Sequence, residues 1–164
     1  MFAFKTIVWG SIFMLAALVL GPWVTSKFDS AFPVFDLGVA KYFGVVLIAA
    51  GIALSFCCCA VLFLPQKGNL PKPYDMQHEF VVLGPYAYVR NPFLLGILLA
   101  LAGETIMMSS FAMIAYSVVL AWCVHFFVVF FEEPALMERY GKEYQKYCEV
   151  VSRWIPRFKK YSSF

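Results

Sequence analysis

The chain has 164 residues, about one domain's worth, of which 62% are apolar and 14% charged. An average soluble domain is about 45–50% apolar and about 25% charged, and a chain this short cannot hide such an excess of apolar surface from water. These values exclude a soluble globular enzyme, a disordered segment and a disulfide-stapled secreted module. They leave an all-α integral membrane protein, a single membrane domain over residues 1–164; the net charge of +3 is too small to argue for nucleic acid.

Lys5 and Lys27 bracket 21 uncharged residues, Thr6 to Ser26, and Lys41 and Lys67 bracket 25 more, Tyr42 to Gln66. A hydrocarbon core of about 30 Å takes roughly 20 helical residues, so each run is long enough to cross. No small-x-small cleavage site follows the first run, so it reads as a retained helix and not a signal peptide. Five cysteines, including the contiguous Cys57, Cys58 and Cys59, lack the spacing of a metal site. They read as reduced, buried thiols, with palmitoylation of the triplet as the alternative.

From Pro65 to Arg90 the chain carries Pro65, Gly68, Pro71, Pro73, Gly84 and Pro85, a turn-rich loop and not one long helix. Between Arg90 and Glu132 lie 41 residues interrupted only by Glu104. That length predicts two helices in an antiparallel hairpin, turning at Met108-Ser109-Ser110. The four expected spans are then about 6–26, 42–64, 92–108 and 111–131.

The tail opens on Glu132-Glu133-Pro134, acids and a proline at an expected helix start. Leu136, Tyr140, Tyr144, Tyr147 and Val151 follow at steps of four, four, three and four, which predicts one amphipathic C-terminal helix. Taken alone, Trp154 and the basic tail read as an interfacial anchor. With the N-terminus inside, eleven of the thirteen basic residues lie on the cytosolic side, so both termini are expected in the cytosol.

Two intramembrane polar residues stand out. His125 precedes Glu132 by seven residues, about 20° off the same helix face, and reads either as lining a substrate entry or as satisfied within the bundle. Glu104 lies five residues before the hairpin turn and His125 fifteen after it, a depth difference of about 15 Å that keeps them apart. Glu104 is therefore expected near the outer face, away from any chemistry.

Residues 70–96 read LPKPYDMQHEFVVLGPYAYVRNPFLLG, and residues 131–157 read FEEPALMERYGKEYQKYCEVVSRWIPR. The pair resembles the isoprenylcysteine carboxyl methyltransferase and phospholipid methyltransferase family of integral membrane enzymes, in its bacterial form. The first segment carries His78, Val81, Gly84, Tyr86, Arg90, Pro92 and Gly96 of the family pattern. The second carries Glu132, Glu133, Leu136, Tyr140, Gly141, Glu143, Tyr144, Tyr147, Arg153, Ile155 and Pro156. Asn91 stands where the family has histidine, Leu94 where it has tyrosine, and Val128 where the eukaryotic prenylcysteine enzymes have an arginine.

The resemblance implies S-adenosyl-L-methionine as cofactor, held by elements 68–96 and 131–157. Its expected contacts are His78, Glu79, Phe80, Val81, Tyr86, Arg90, Asn91, Pro92, Phe93, Leu94, Gly96, Glu132 and Glu133. It implies methyl transfer to a lipophilic, membrane-borne acceptor in a bacterial inner membrane, without a metal, and isoprenylcysteine-type carboxyl O-methylation is the nearest reaction. Arg153 is the expected catalytic cation, orienting an anionic acceptor with both ends of its guanidinium, with His125 and Tyr144 completing the acceptor site. Three alternatives remain: a phospholipid or amine N-methyltransferase, a membrane reductase of the steroid-reductase type, and a non-catalytic scaffold.

Overall fold

The computed structural model describes residues 12–28, 37–62 and 82–161. Among these the chain is helical: α1 (Ile12–Ser26), α2 (Lys41–Leu62), α3 (Pro92–Met108), α4 (Phe111–Phe127), α5 (Glu133–Tyr140) and α6 (Lys142–Val150). Two stretches, Gly38–Val61 and Phe111–Tyr140, are long and apolar enough to cross a bilayer. α3 has 17 residues, about 26 Å of helix. Only 11% of the most apolar window of Phe111–Tyr140 is buried, whereas the core helix of a soluble protein would be mostly covered. Its outward side shows Phe126 stacked on Phe130 and Phe127 on Phe131, with ring centroids 5.6 and 6.0 Å apart. All four rings are exposed, as lipid-facing side chains are.

α2 and α3 pack antiparallel through glycine. A Cβ added to Gly44 would stand 2.5 Å from the Gly103 carbonyl oxygen, and one on Gly103 2.5 Å from that of Gly44. Gly51 and Gly96 face each other in the same way, seven residues further along each helix. Backbones approach this closely in membranes because packing, and not the hydrophobic effect, must hold apolar helices together.

The hairpin turn falls where its serines predict. Ser109 takes the left-handed conformation (φ 50°), its N–H bonds to the Thr105 carbonyl at 3.0 Å, and Ser110 Oγ accepts from the Met113 N–H at 3.4 Å. Across the hairpin the Thr105 and Ser117 hydroxyls lie 2.6 Å apart. The cysteine triplet is not uniformly buried: Cys58 is, Cys59 is half-buried and Cys57 is exposed, since neighbours on a helix point about 100° apart.

Among the described residues two π turns interrupt the helices, at Ala16–Leu20 and Val128–Glu132. In each, an N–H reaches five residues back, Gly21 to the Ala16 carbonyl and Glu133 to that of Val128, and the next residue is a proline. Proline offers no N–H and its ring crowds the carbonyl four residues earlier, which a widened turn relieves. At the first π turn the carbonyl of Ala17 thereby loses its in-helix donor, and the Tyr116 hydroxyl donates to it at 3.1 Å.

The expected helix start at Glu132-Glu133-Pro134 is thus replaced by continuation: helix runs from Phe111 to Tyr140 through the second π turn. The expected single amphipathic tail helix is also corrected. Gly141, at φ 53°, ends α5 and starts α6 on a new axis. The tyrosine stripe survives the break, because Tyr144, Tyr147 and Val151 bury together with Leu136, Tyr140, Val82, Cys148 and Tyr161 against them.

Candidate functional site

The tail after α6 crosses the turn that precedes α3 as a strap. That turn begins at Gly84 (φ 54°) with Pro85 opening a short 3-10 helix, Gly84–Ala87. The Arg90 N–H donates to the Ser152 carbonyl, the Arg157 N–H to that of Tyr88 and the Tyr161 N–H to that of Ala87, each at 2.9 Å. Asn91 Nδ2 donates to the Arg153 carbonyl at 3.3 Å, and the Tyr147 hydroxyl to that of Tyr86 at 2.7 Å. Burial pushes the Tyr86 and Tyr147 phenols up, so both stay neutral donors.

At the centre sits Glu133. Arg153 donates Nε to its Oε1 at 2.7 Å and Nη2 to its Oε2 at 2.8 Å, and Arg90 donates Nη1 to Oε1 at 3.0 Å. Arg90 Nη1 also lies 3.1 Å from Cys148 Sγ. The carboxylate holds the Arg153 guanidinium above its ordinary range. The fork expected to take an acceptor's two oxygens therefore grips Glu133, with Nη1 on its remaining edge. Glu133 and Arg90, expected as cofactor contacts, join three segments to one another.

The π turn decides which acid does this. Without it His125 would share a face with Glu132; one extra residue in the turn shifts the phase so that Glu133, eight residues on, lies about 20° from His125. Consecutive residues of the strap grip both: Arg153 holds Glu133, and Trp154 Nε1 donates to His125 Nδ1 at 3.1 Å. His125 is thus satisfied within the bundle. It also borders an open apolar groove of about 380 Å³ with Val118, Ala121 and Trp122.

Glu132 is rotated away from that clasp. Its Oε2 is buried and, among the described residues, has no hydrogen-bond partner; the same holds for Arg90 Nε. The Tyr86 phenol is close enough to Glu132 to feel its charge. Because the Glu133 N–H goes to Val128 and Pro134 has none, the carbonyl of Val129 lacks an in-helix donor, as that of Ala17 does. Among the described residues Glu132 thus keeps a buried oxygen that can accept, and Arg90 a buried N–H that can donate. A zwitterionic amino acid moiety has the complementary pair, an ammonium and a carboxylate.

The other expected residues divide. Pro92 is buried at the first turn of α3, and Phe93 gives its carbonyl to Ser55 Oγ at 3.2 Å. Leu94 is half-buried. Gly96 faces α2, where a Cβ would meet Ser55 Oγ and the Gly51 carbonyl, so its requirement is helix packing. Tyr144 belongs to the small core under the strap. His78, Glu79, Phe80 and Val81 lie outside the described residues. Glu104 lies with Tyr116 toward the other end of the bundle, and its buried Oε2 has no partner among the described residues. Sequence reasoning missed the Trp154–His125 bond and the π turn, for which the signal was Pro134, just past the end of an apolar run long enough to be one helix.

Comparison with curated proteins and with solved structures gives no significant match. Comparison with family profiles matches phospholipid methyltransferase over residues 39–143, a stretch that takes in the glycine-packed pair, the hairpin, the π turn and Glu132. The chain, a membrane protein with a polar clasp at one end of its apolar helices, therefore belongs to the phospholipid methyltransferase family.

Proposed function

We propose that the protein transfers a methyl group from S-adenosyl-L-methionine to a lipophilic acceptor delivered by the bilayer. The observation that carries this reading is two buried polar atoms, Glu132 Oε2 and Arg90 Nε, with no hydrogen-bond partner among the described residues. They complement the two charged ends of that cofactor's amino acid moiety. When bound, the cofactor supplies an activated methyl on a sulfonium, so the chain needs alignment and dryness more than acid–base machinery. Glu132 accepts from the ammonium, Arg90 Nε donates to the carboxylate, and the neutral Tyr86 phenol stands beside them. Glu133 acts as a positioning residue that fixes Arg90 and Arg153. The Nη1 edge of Arg153 is the donor left for an anionic group on the acceptor.

In this reading the chain has four spans, with both termini and the 65–90 loop in the cytosol, where the cofactor is. Acceptor carboxyl O-methylation needs no base, which suits a site whose acids are engaged by arginines or set to face an ammonium. The test is equilibrium binding to the detergent-purified protein of S-adenosylhomocysteine and, separately, of reduced nicotinamide dinucleotide phosphate. Binding of the first alone is expected; binding of the second alone would replace the methyltransferase reading with the reductase one.

A further inference from the structure

We infer that the strap segment Trp154–Lys160 is a docking edge for an anionic membrane surface, and that docking holds the strap closed over the Glu133 clasp. Depth is the first argument. Trp154 is tied to His125, which lies six residues, about 9 Å of helix, inward of the lipid-facing ring of Phe131. The preceding residue, Arg153, is held by Glu133, two residues outward of Phe131, so the two anchors bracket the level of the last exposed phenylalanines. Indole rings collect at this depth, where one edge is apolar and the other wet.

Exposure is the second. Within the strap Ile155 is 75% exposed and Phe158 fully so, two large apolar side chains touching little of the protein. Their neighbours Arg157 and Tyr161 turn the other way in the sense that counts, bonding through their amides to the Tyr88 and Ala87 carbonyls. One side of the strap is thus spent on the protein, and the opposite side presents Ile155 and Phe158.

Charge is the third. Arg157, Lys159 and Lys160 flank the two apolar residues, and no acid occurs from Val150 to Phe164. Lys159 and Lys160 are exposed. A wedge of isoleucine and phenylalanine set among lysines at bilayer depth fits a leaflet with anionic headgroups, where apolar insertion and charge attraction add. A soluble acidic protein would match the charge but not the depth. Because Arg153 precedes this segment directly, lipid that seats Ile155 and Phe158 also seats the Arg153–Glu133 bond.

The test reads the strap and not turnover, so its outcome is independent of the methyl-transfer reading. The full chain is placed in nanodiscs of phosphatidylcholine alone or with phosphatidylglycerol, and amide hydrogen exchange is followed over residues 152–161. Anionic discs are expected to slow exchange at Arg157 and Tyr161, by up to about fivefold for each basic residue engaged. Lys159→Gln with Lys160→Gln is expected to abolish that increment. Ile155→Ser with Phe158→Ser is expected to speed exchange in both lipids while leaving α2 and α3 as protected as before. Equal exchange in the two lipids, or an unchanged strap in both variants, would overturn the proposal.

Discussion

Replacing each of the two adjacent acids by its amide separates clasp from ligand site. Glu133 accepts three charge-assisted bonds, at 2.7, 2.8 and 3.0 Å, with side chains 15% exposed for Glu133, 13% for Arg90 and 29% for Arg153. An exposed ion pair contributes about 0–1 kcal/mol, and breaking a buried one costs about 3–5 kcal/mol. These exposures lie between the two cases, so Glu133→Gln should destabilise the protein by about 2 kcal/mol. Glu132 Oε2 has no partner among the described residues, so the same change there should cost less than it does at Glu133. Affinity should respond in the opposite order. Glu132→Gln removes the acceptor for the ligand's ammonium, about 1.5–3 kcal/mol, which weakens S-adenosylhomocysteine about 10- to 150-fold. The assays are thermal unfolding in detergent and calorimetric titration of the same preparations. If both variants lose stability and affinity in equal measure, the division of labour between Glu132 and Glu133 is refuted.

Gly51→Ala should cost about 1–3 kcal/mol, since its methyl would strike the Gly96 carbonyl, and an unchanged melting temperature would count against the interlock. Trp154→Phe removes one hydrogen bond, about 0.5–1.5 kcal/mol, and should raise tryptic cleavage after Arg157 while α2 and α3 stay resistant. Glu104→Gln, at the other end of the bundle, should leave S-adenosylhomocysteine affinity within about twofold. Cysteines introduced at Leu70 and Lys160 should resist an impermeant thiol reagent applied to the outside of intact cells; efficient labelling of either would reverse the topology.

What was legible in the sequence was whatever charge and turn chemistry mark. Arg90, Glu132 and the Ser109-Ser110 pair delimit the hairpin, because charges avoid lipid and serines favour turns and helix caps. Residues that face one another across the α2–α3 pair were not legible. These helices are apolar all round, so no periodicity reveals which side meets protein. The same lack of phase hid the π turn: a one-residue widening rotates everything after it by about 100°, and an all-apolar helix carries no stripe to betray the shift. His125 was therefore matched with Glu132, whereas the strap shows it aligned with Glu133. The Gly141 break had its signal in plain view, a glycine one residue past Tyr140 with Arg139 in the last turn. Both segments of the site were located by their motifs, but the partnering of Arg153 with Glu133 joins residues 20 apart across a helix break. No spacing rule reaches that far.

The glycine contact between α2 and α3 also distributes stiffness unevenly. Where two backbones touch at glycine, the carbonyl oxygens set the spacing and have no rotamers to change, so the pair behaves as one plank. α4 is held differently: among the described residues few of its apolar side chains through the π turn are buried (Met113, Val124 and Val128), and hydroxyl and thioether bonds fix it near the hairpin turn and the strap at the opposite end. Lateral stress in the bilayer would therefore bow α4 outward between those two fixings before it parted the plank. The His125 groove lies on the stretch of α4 that would bow.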